Sequence, residues 1–219
     1  MEQMILKKRY LPDYTVGEEI FSAVSHGAGA LLGLAGGAVL LARAARVSGA
    51  LGIFAAAVYS ASLFILYTMS TLYHALVDRR AKYVFRIFDH CTIYLLIAGT
   101  YTPLMLVLIG GAAGWIVFAG LWTLAALCIT LNAIDLERFK VFSMICYIAM
   151  GWCVLLFIAP VIRALGPWGS ALLVLGGISY TAGLLFYRRA SLRNMHSVWH
   201  LFVLAGSVFQ YFCILLFVY

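Results

Sequence analysis

Two histidines, His196 and His200, stand four residues apart at the start of an apolar run that reaches Tyr219. On a helix, residues four apart share one face, which is how a helix offers two imidazoles to one metal ion. With five histidines in the chain, such a pair alone is a weak signal. Other polar residues in apolar surroundings give it weight. His74 stands four residues after Ser70 at the end of another apolar run, Asp89 follows Arg86, and Glu18, Glu19 and His26 open a third. His74, His196 and His200, from two helices, make a tripod for zinc, with Zn–N of about 2.0–2.1 Å, and leave a fourth tetrahedral position for water, as catalytic sites do. Asp89 then either ligates directly or orients the bound water and takes its proton as a general base. Ser70, one turn from His74 on the same face, is placed to donate a hydrogen bond to a substrate carbonyl or to polarise the water. Nitrogen and oxygen ligands without thiolate favour zinc over copper(I).

Each of these residues has a plainer reading. The histidines could form a metal-free hydrogen-bonded cluster between helices. Asp89 could pair with Arg86 or serve as a helix N-terminal acid, and Ser70 could bond back to its own helix. His26 suits a supporting partner or simple packing. Glu18 and Glu19 suit capping of the first helix. His90 lies about 100° round the helix from Asp89 and reads as packing.

The elements that must position these groups are membrane helices. Of 219 residues, 65% are hydrophobic and 11% charged, against about 45–50% and about 25% in soluble domains. A spanning helix needs about 20 mostly apolar residues, and seven stretches qualify. They run from Glu19 to Ala42, Gly49 to Val77, Ile87 to Ile109, Trp115 to Ile134, Phe139 to Ile162, Trp168 to Tyr187 and His196 to Tyr219. Pro103 predicts a kink in the third, Gly110 to Gly114 a tight turn into the fourth, and Gly166-Pro167 the start of the sixth. The expected fold is all-α: a seven-transmembrane helix bundle over residues 18–219, preceded by a cytoplasmic segment, 1–17, without a signal-peptide pattern. The spacing Gly29-xxx-Gly33-xxx-Gly37 predicts close helix packing. The five cysteines all fall in apolar runs without CxxC spacing and read as small buried hydrophobes.

Charge sets the expected orientation, because cytoplasmic loops carry the excess of Lys and Arg. Alternate links hold Lys7, Lys8 and Arg9; Arg79, Arg80, Lys82 and Arg86; Arg138 and Lys140; and Arg188, Arg189 and Arg193, which is 12 of the 15 basic residues. The other side holds Arg43, Arg46 and Arg163. The N-terminus is expected in the cytoplasm and the C-terminus outside. The charge of +7 thus reads as topology plus attraction to anionic lipid, not nucleic-acid binding. In that orientation Glu18, Glu19, His26, Ser70, His74, Asp89, His196 and His200 fall at one depth, in the cytoplasmic leaflet. Ionisable residues there are costly and mark function.

At these residues the sequence resembles the bacterial hemolysin III-type proteins of the progestin and adiponectin receptor (PAQR) superfamily. The likeness runs from Glu18 to Tyr219. It includes Glu18-Glu19 with His26-Gly27, Ser70-Thr-Leu-Tyr-His74, Phe88-Asp89-His90 with Gly99-Thr-Tyr-Thr-Pro103, and His196-Ser-Val-Trp-His200. It departs at Ser22, where the wider family commonly has Asn. The resemblance implies seven helices with the N-terminus inside, and zinc held by His74, His196 and His200 with Asp89 reaching it through water. It also implies kinship with alkaline ceramidases and a role in membrane homeostasis.

The expected function is therefore a zinc-dependent hydrolase of a lipid amide or ester in the bacterial plasma (inner) membrane, with membrane lipids as partners and a lipid substrate or ligand inside the bundle. The alternative is a non-enzymatic sensor or receptor of lipid state with structural zinc. A cytolytic pore or transporter is a third reading, and no helix has the full-length polar stripe it needs.

Overall fold

The computed structural model describes residues 11–190 and 192–219. Lys7, Lys8 and Arg9 lie outside the described residues. The described chain is 88% helix, without strands. The helices are α1 (Val16–Val47), α2 (Ala50–Ala75), α3 (Arg79–Pro103), α4 (Gly111–Ile134), α5 (Lys140–Gly151), α6 (Ile158–Tyr187) and α7 (Met195–Phe217). Six continuous helical runs among the described residues are long and apolar enough to cross a membrane. One of them, Lys140–Tyr187, is 48 residues long. It joins α5 to α6 through a 3₁₀ turn, Cys153–Phe157, where a single fifth helix to Ile162 was expected. Gly166 interrupts α6 with non-helical backbone, φ 64 and ψ −174.

Local sequence explains where the helices begin and end. Thr15 and Glu18 form a capping box at the start of α1, which satisfies two of the orphan amides of the first turn. Asp78 caps α3 by accepting from the amides of Arg80 and Ala81. Pro103 lacks the N–H that the α-helical ladder needs, and there α3 changes to a π-helical turn, Leu104–Ile109. Gly110 and Gly111, with φ of 65 and 58, make the reversal into α4. The left-handed backbone there suits glycine, and the turn is shorter than the five residues expected.

Two apolar clusters hold the bundle. One joins α3, α4 and α5 through Tyr94, Tyr101, Met105, Leu121, Cys128 and Met150. The other joins α1, α2, α3 and α7 through Leu40, Tyr59, Leu63, Tyr67, Leu96 and Val203. Leu31, Leu34, Ile116 and Leu127 are exposed on the outside, as lipid-facing residues are. The cysteines are free; all but Cys153 are buried.

The face of α1 turned to α2 is made of small residues, among them Gly29, Gly33 and Gly37, which lets two backbones approach closely. At Gly29 an added Cβ would lie 2.7 Å from Cδ1 of Tyr67. That ring cannot move aside, since it is fully buried and its hydroxyl donates to Ser207 Oγ at 2.7 Å. Gly29→Ala is expected to lower the melting temperature in detergent by several degrees, since overpacking costs about 1–3 kcal/mol. Gly120→Ala, where an added Cβ meets nothing within 4 Å, should leave it unchanged.

Candidate metal centre

His74 ends α2, and His196 and His200 occupy the first two turns of α7. All three are buried, between 0 and 3% exposed. Nε2 of His196 lies 3.2 Å from Nε2 of His74 and 3.1 Å from Nε2 of His200. Among the described residues these three form the group of side chains that could hold a metal ion. Three nitrogens at about 2.0–2.1 Å from one ion, at tetrahedral angles, are about 3.3 Å apart. The two separations from His196 fit that figure.

A hydrogen bond at the edge of the cluster fixes the tautomer of His74. Nδ1 of His74 lies 2.7 Å from Oε2 of Glu19. A carboxylate only accepts, so Nδ1 carries the proton and Nε2 keeps its lone pair for a metal. Glu19 is held in turn by Lys82, whose Nζ lies 2.7 Å from Oε1. This Lys–Glu–His chain is the support that metal-ligating histidines ordinarily have. Nδ1 of His196 is buried without a hydrogen-bond partner. Tyr14, just ahead of α1, stacks on His196 with ring centroids 4.4 Å apart and planes 17° apart. Burial pushes its phenol well above the ordinary range, so it covers the cluster as a neutral ring.

His26 and Ser70 sit beneath the cluster. The His26 ring packs on His200 at 3.8 Å between centroids, and its Nε2 donates to the His200 carbonyl at 3.4 Å. Its Nδ1 is then the acceptor, and Ser70 Oγ, 2.8 Å away, donates to it. The Ser70 proton is thereby engaged with His26. Neither the expected substrate contact nor back-bonding to α2 describes this arrangement. His90 is satisfied on both sides: Nδ1 donates to the Arg86 carbonyl at 2.9 Å, and Nε2 faces the Tyr187 hydroxyl at 3.3 Å.

Asp89 is buried and stands outside the three-histidine group. It lines a cavity of about 160 Å³ between α3, α5, α6 and α7, whose wall also includes His26, Arg86 and Trp199. Arg86 pairs with Glu137, in the link between α4 and α5. Glu18 completes the capping box and also accepts, through Oε1, from the Asn194 amide at 2.6 Å. That bond ties the start of α1 to the residue that begins α7. Ser22 Oγ lies 3.5 Å from Ser197 Oγ.

Sequence reasoning missed Glu19 as the partner of His74. The signal was there: Thr15-x-x-Glu18 satisfies the capping box and leaves Glu19 unused. Removing that partner ordinarily costs about 10–100-fold in metal affinity. Glu19→Ala is therefore expected to release divalent metal to a competing chelator at about 10–100-fold lower chelator concentration. Unchanged retention would show that Glu19 does not support the site.

A family profile described as Haemolysin-III related matches residues 14–211. The chain is 41% identical over 203 residues to Hemolysin-3 of Bacillus cereus, spanning 93% of each protein. It is 37% identical over 202 residues to the Hemolysin-3 homolog of Bacillus subtilis (strain 168), spanning 92% of this chain and 95% of that one. A more distant likeness, 26% over 172 residues, is to the human monocyte to macrophage differentiation factor; it spans 74% of this chain and 69% of that protein and supports the wider PAQR superfamily. With its apolar helices and bacterial relatives, this is a multi-pass bacterial membrane protein. The profile takes in every residue of the histidine cluster and its supports, and the chain belongs to the haemolysin-III-related family.

Proposed function

We propose that the chain is a zinc-dependent membrane hydrolase acting on a lipid amide or ester, with a part in membrane lipid homeostasis. The observation that carries this reading is the convergence of three histidines, with Nε2 of His196 3.1–3.2 Å from Nε2 of each of the other two, next to a cavity whose wall bears Asp89 and His26. His74, His196 and His200 would hold the ion. Zinc, when bound, supplies Lewis acidity that polarises a carbonyl and lowers the pKa of its water to about 7. The rest falls to the chain's own residues. The Asp89 carboxylate orients the attacking water, takes its proton and passes it to the leaving amine or alcohol. Glu19 holds His74 in the ligating tautomer. Ser70, its hydroxyl donating to His26, acts as a positioning residue. The apolar wall takes the lipid chain and excludes bulk water.

A second reading is a lipid-state sensor in which the metal pins α2 to α7. One observation favours it: the three histidines lie outside the lining of the cavity. Asp89→Asn separates the two readings, because Asn keeps the size and cannot take a proton. Under the hydrolase reading the variant retains its zinc, by elemental analysis, and loses lipid hydrolysis by roughly 10²–10⁴. If the metal is only a pin and Asp89 helps to hold it, zinc and melting temperature fall together, and the wild type hydrolyses no lipid.

The same proposal includes seven spans, with the N-terminus in the cytoplasm and the C-terminus outside. At 1.5 Å per residue a 48-residue run is about 72 Å long, more than twice a hydrocarbon core of about 30 Å. Gly166, at φ 64 and ψ −174, has nearly the backbone of Gly110, at φ 65 and ψ −167, which turns α3 into α4. Arg138 and Lys140 flank one end of the run, and Arg188, Arg189 and Arg193 the other. Excess basic charge belongs in the cytoplasm, so both ends fall on one side and the run crosses twice. Reporter fusions at the two termini should report opposite sides; two termini on one side would reduce the count to six.

A further inference from the structure

At the far end of the cavity, Gln210 breaks the pattern of its neighbours. The hydroxyl-bearing residues along that wall are satisfied. Thr100 donates to the Leu96 carbonyl, Tyr101 to Gly151 and Thr181 to Gly177, while Tyr180 shares a bond with Ser207. Gln210 is 6% exposed and also lines the cavity. Its Nε2 donates to the Leu173 carbonyl at 3.0 Å, which fixes the amide's orientation. Its Oε1 has no partner. The amide is also held in place by α6: a Cβ on Gly176 would come within 2.6 Å of Nε2. Buried acceptors are ordinarily paired. Here a strong acceptor is fixed in a mostly apolar wall whose hydroxyls are satisfied.

We infer that Gln210 is a specificity-determining residue that accepts a hydrogen bond from a hydroxyl carried far along the alkyl chain of a bound lipid. Ten residues of α7 separate Gln210 from His200, about 15 Å along the helix axis, which an extended acyl chain covers in roughly a dozen carbons. The hydroxyl in question therefore sits in the distal part of the chain, not beside the reacting carbonyl. A plain chain leaves Oε1 unpaired in an apolar wall; a hydroxylated chain pairs it. A site built to bond a polar group discriminates against the analogue that lacks it.

The inference rests on the reading that the cavity holds a lipid chain, but not on turnover. The test uses the full chain in detergent, with stearate, 2-hydroxystearate and 12-hydroxystearate as probes. Trp152 and Trp199 line the cavity, so tryptophan fluorescence reads occupancy without hydrolysis. The expected result is that 12-hydroxystearate binds about 3–10-fold tighter than stearate, the value of one net hydrogen bond, while 2-hydroxystearate gains nothing. Gln210→Met should erase that gain, so that stearate and 12-hydroxystearate bind alike. Equal affinity of the wild type for stearate and 12-hydroxystearate overturns the inference, as does a gain that survives in Gln210→Met or the failure of all three to bind. If Gln210→Met does not fold, the wild-type comparison decides. A preserved 12-hydroxy preference without any lipid hydrolysis would sink the hydrolase reading alone, and hydrolysis without the preference would sink only this inference.

Discussion

Three imidazole nitrogens share a space that hydrogen bonding cannot fill. His74 keeps a lone pair on Nε2, because its Nδ1 proton goes to Glu19. Nε2 of His196 touches both His74 and His200, at 3.2 and 3.1 Å, yet a ring nitrogen carries either one proton or one lone pair. If it donates to one neighbour, it has nothing for the other. If it accepts from His200, its lone pair faces the lone pair of His74. Such a conflict is costly in a buried setting, and a cation at the centre of the three removes it.

The rest of the fold serves that point from three directions. α2 and α7 bring the three histidines, and α1 brings their supports. The small-residue face of α1 lets it approach α2 closely enough for Glu19 to reach His74 and for His26 to reach Ser70. Glu18 fixes the other side by accepting from the Asn194 amide, at the residue whose left-handed backbone, φ 64, launches α7. The carboxylates of two successive residues thus secure the two ligand-bearing helices. Lys82, at the start of α3, completes the arrangement by holding Glu19.

Much of this was legible in the sequence, for physical reasons. Residues four apart on a helix share a face whatever surrounds them, so His196 and His200 announced themselves, and an apolar run of about 20 residues reads as a span almost without context. What resisted was anything decided by a neighbour distant in the chain. The spacing from Thr15 singles out Glu18 as the capping acid, but only the packing of α1 on α2 shows that Glu19 meets His74. Ser70 sits on the face expected of it, yet its hydroxyl donates to His26, 44 residues away. Gly166-Pro167 reads as a helix start in sequence, and the chain does break its helical backbone at Gly166, φ 64 and ψ −174; with no loop between the two segments, the break is a kink inside the run from Lys140 to Tyr187.

The polar cluster and the apolar cavity stand in different dielectric surroundings, and the residues between them decide what the site can do. His26 belongs to both: it packs on His200 and lines the cavity. Asp89 and Arg86 lie in the same wall, and Arg86 is held by Glu137 of the α4–α5 link. A charged group at such a boundary interacts more strongly than it would in water, and it stays ionised only where other charges or hydrogen bonds compensate for lost solvation. A lipid held in the cavity would extend its apolar chain past Trp199 and Val203 and turn its polar end toward that boundary. The convergent nitrogens and the apolar recess meet at His26, with Asp89 in the same wall, and the proposed lipid chemistry rests on that adjacency.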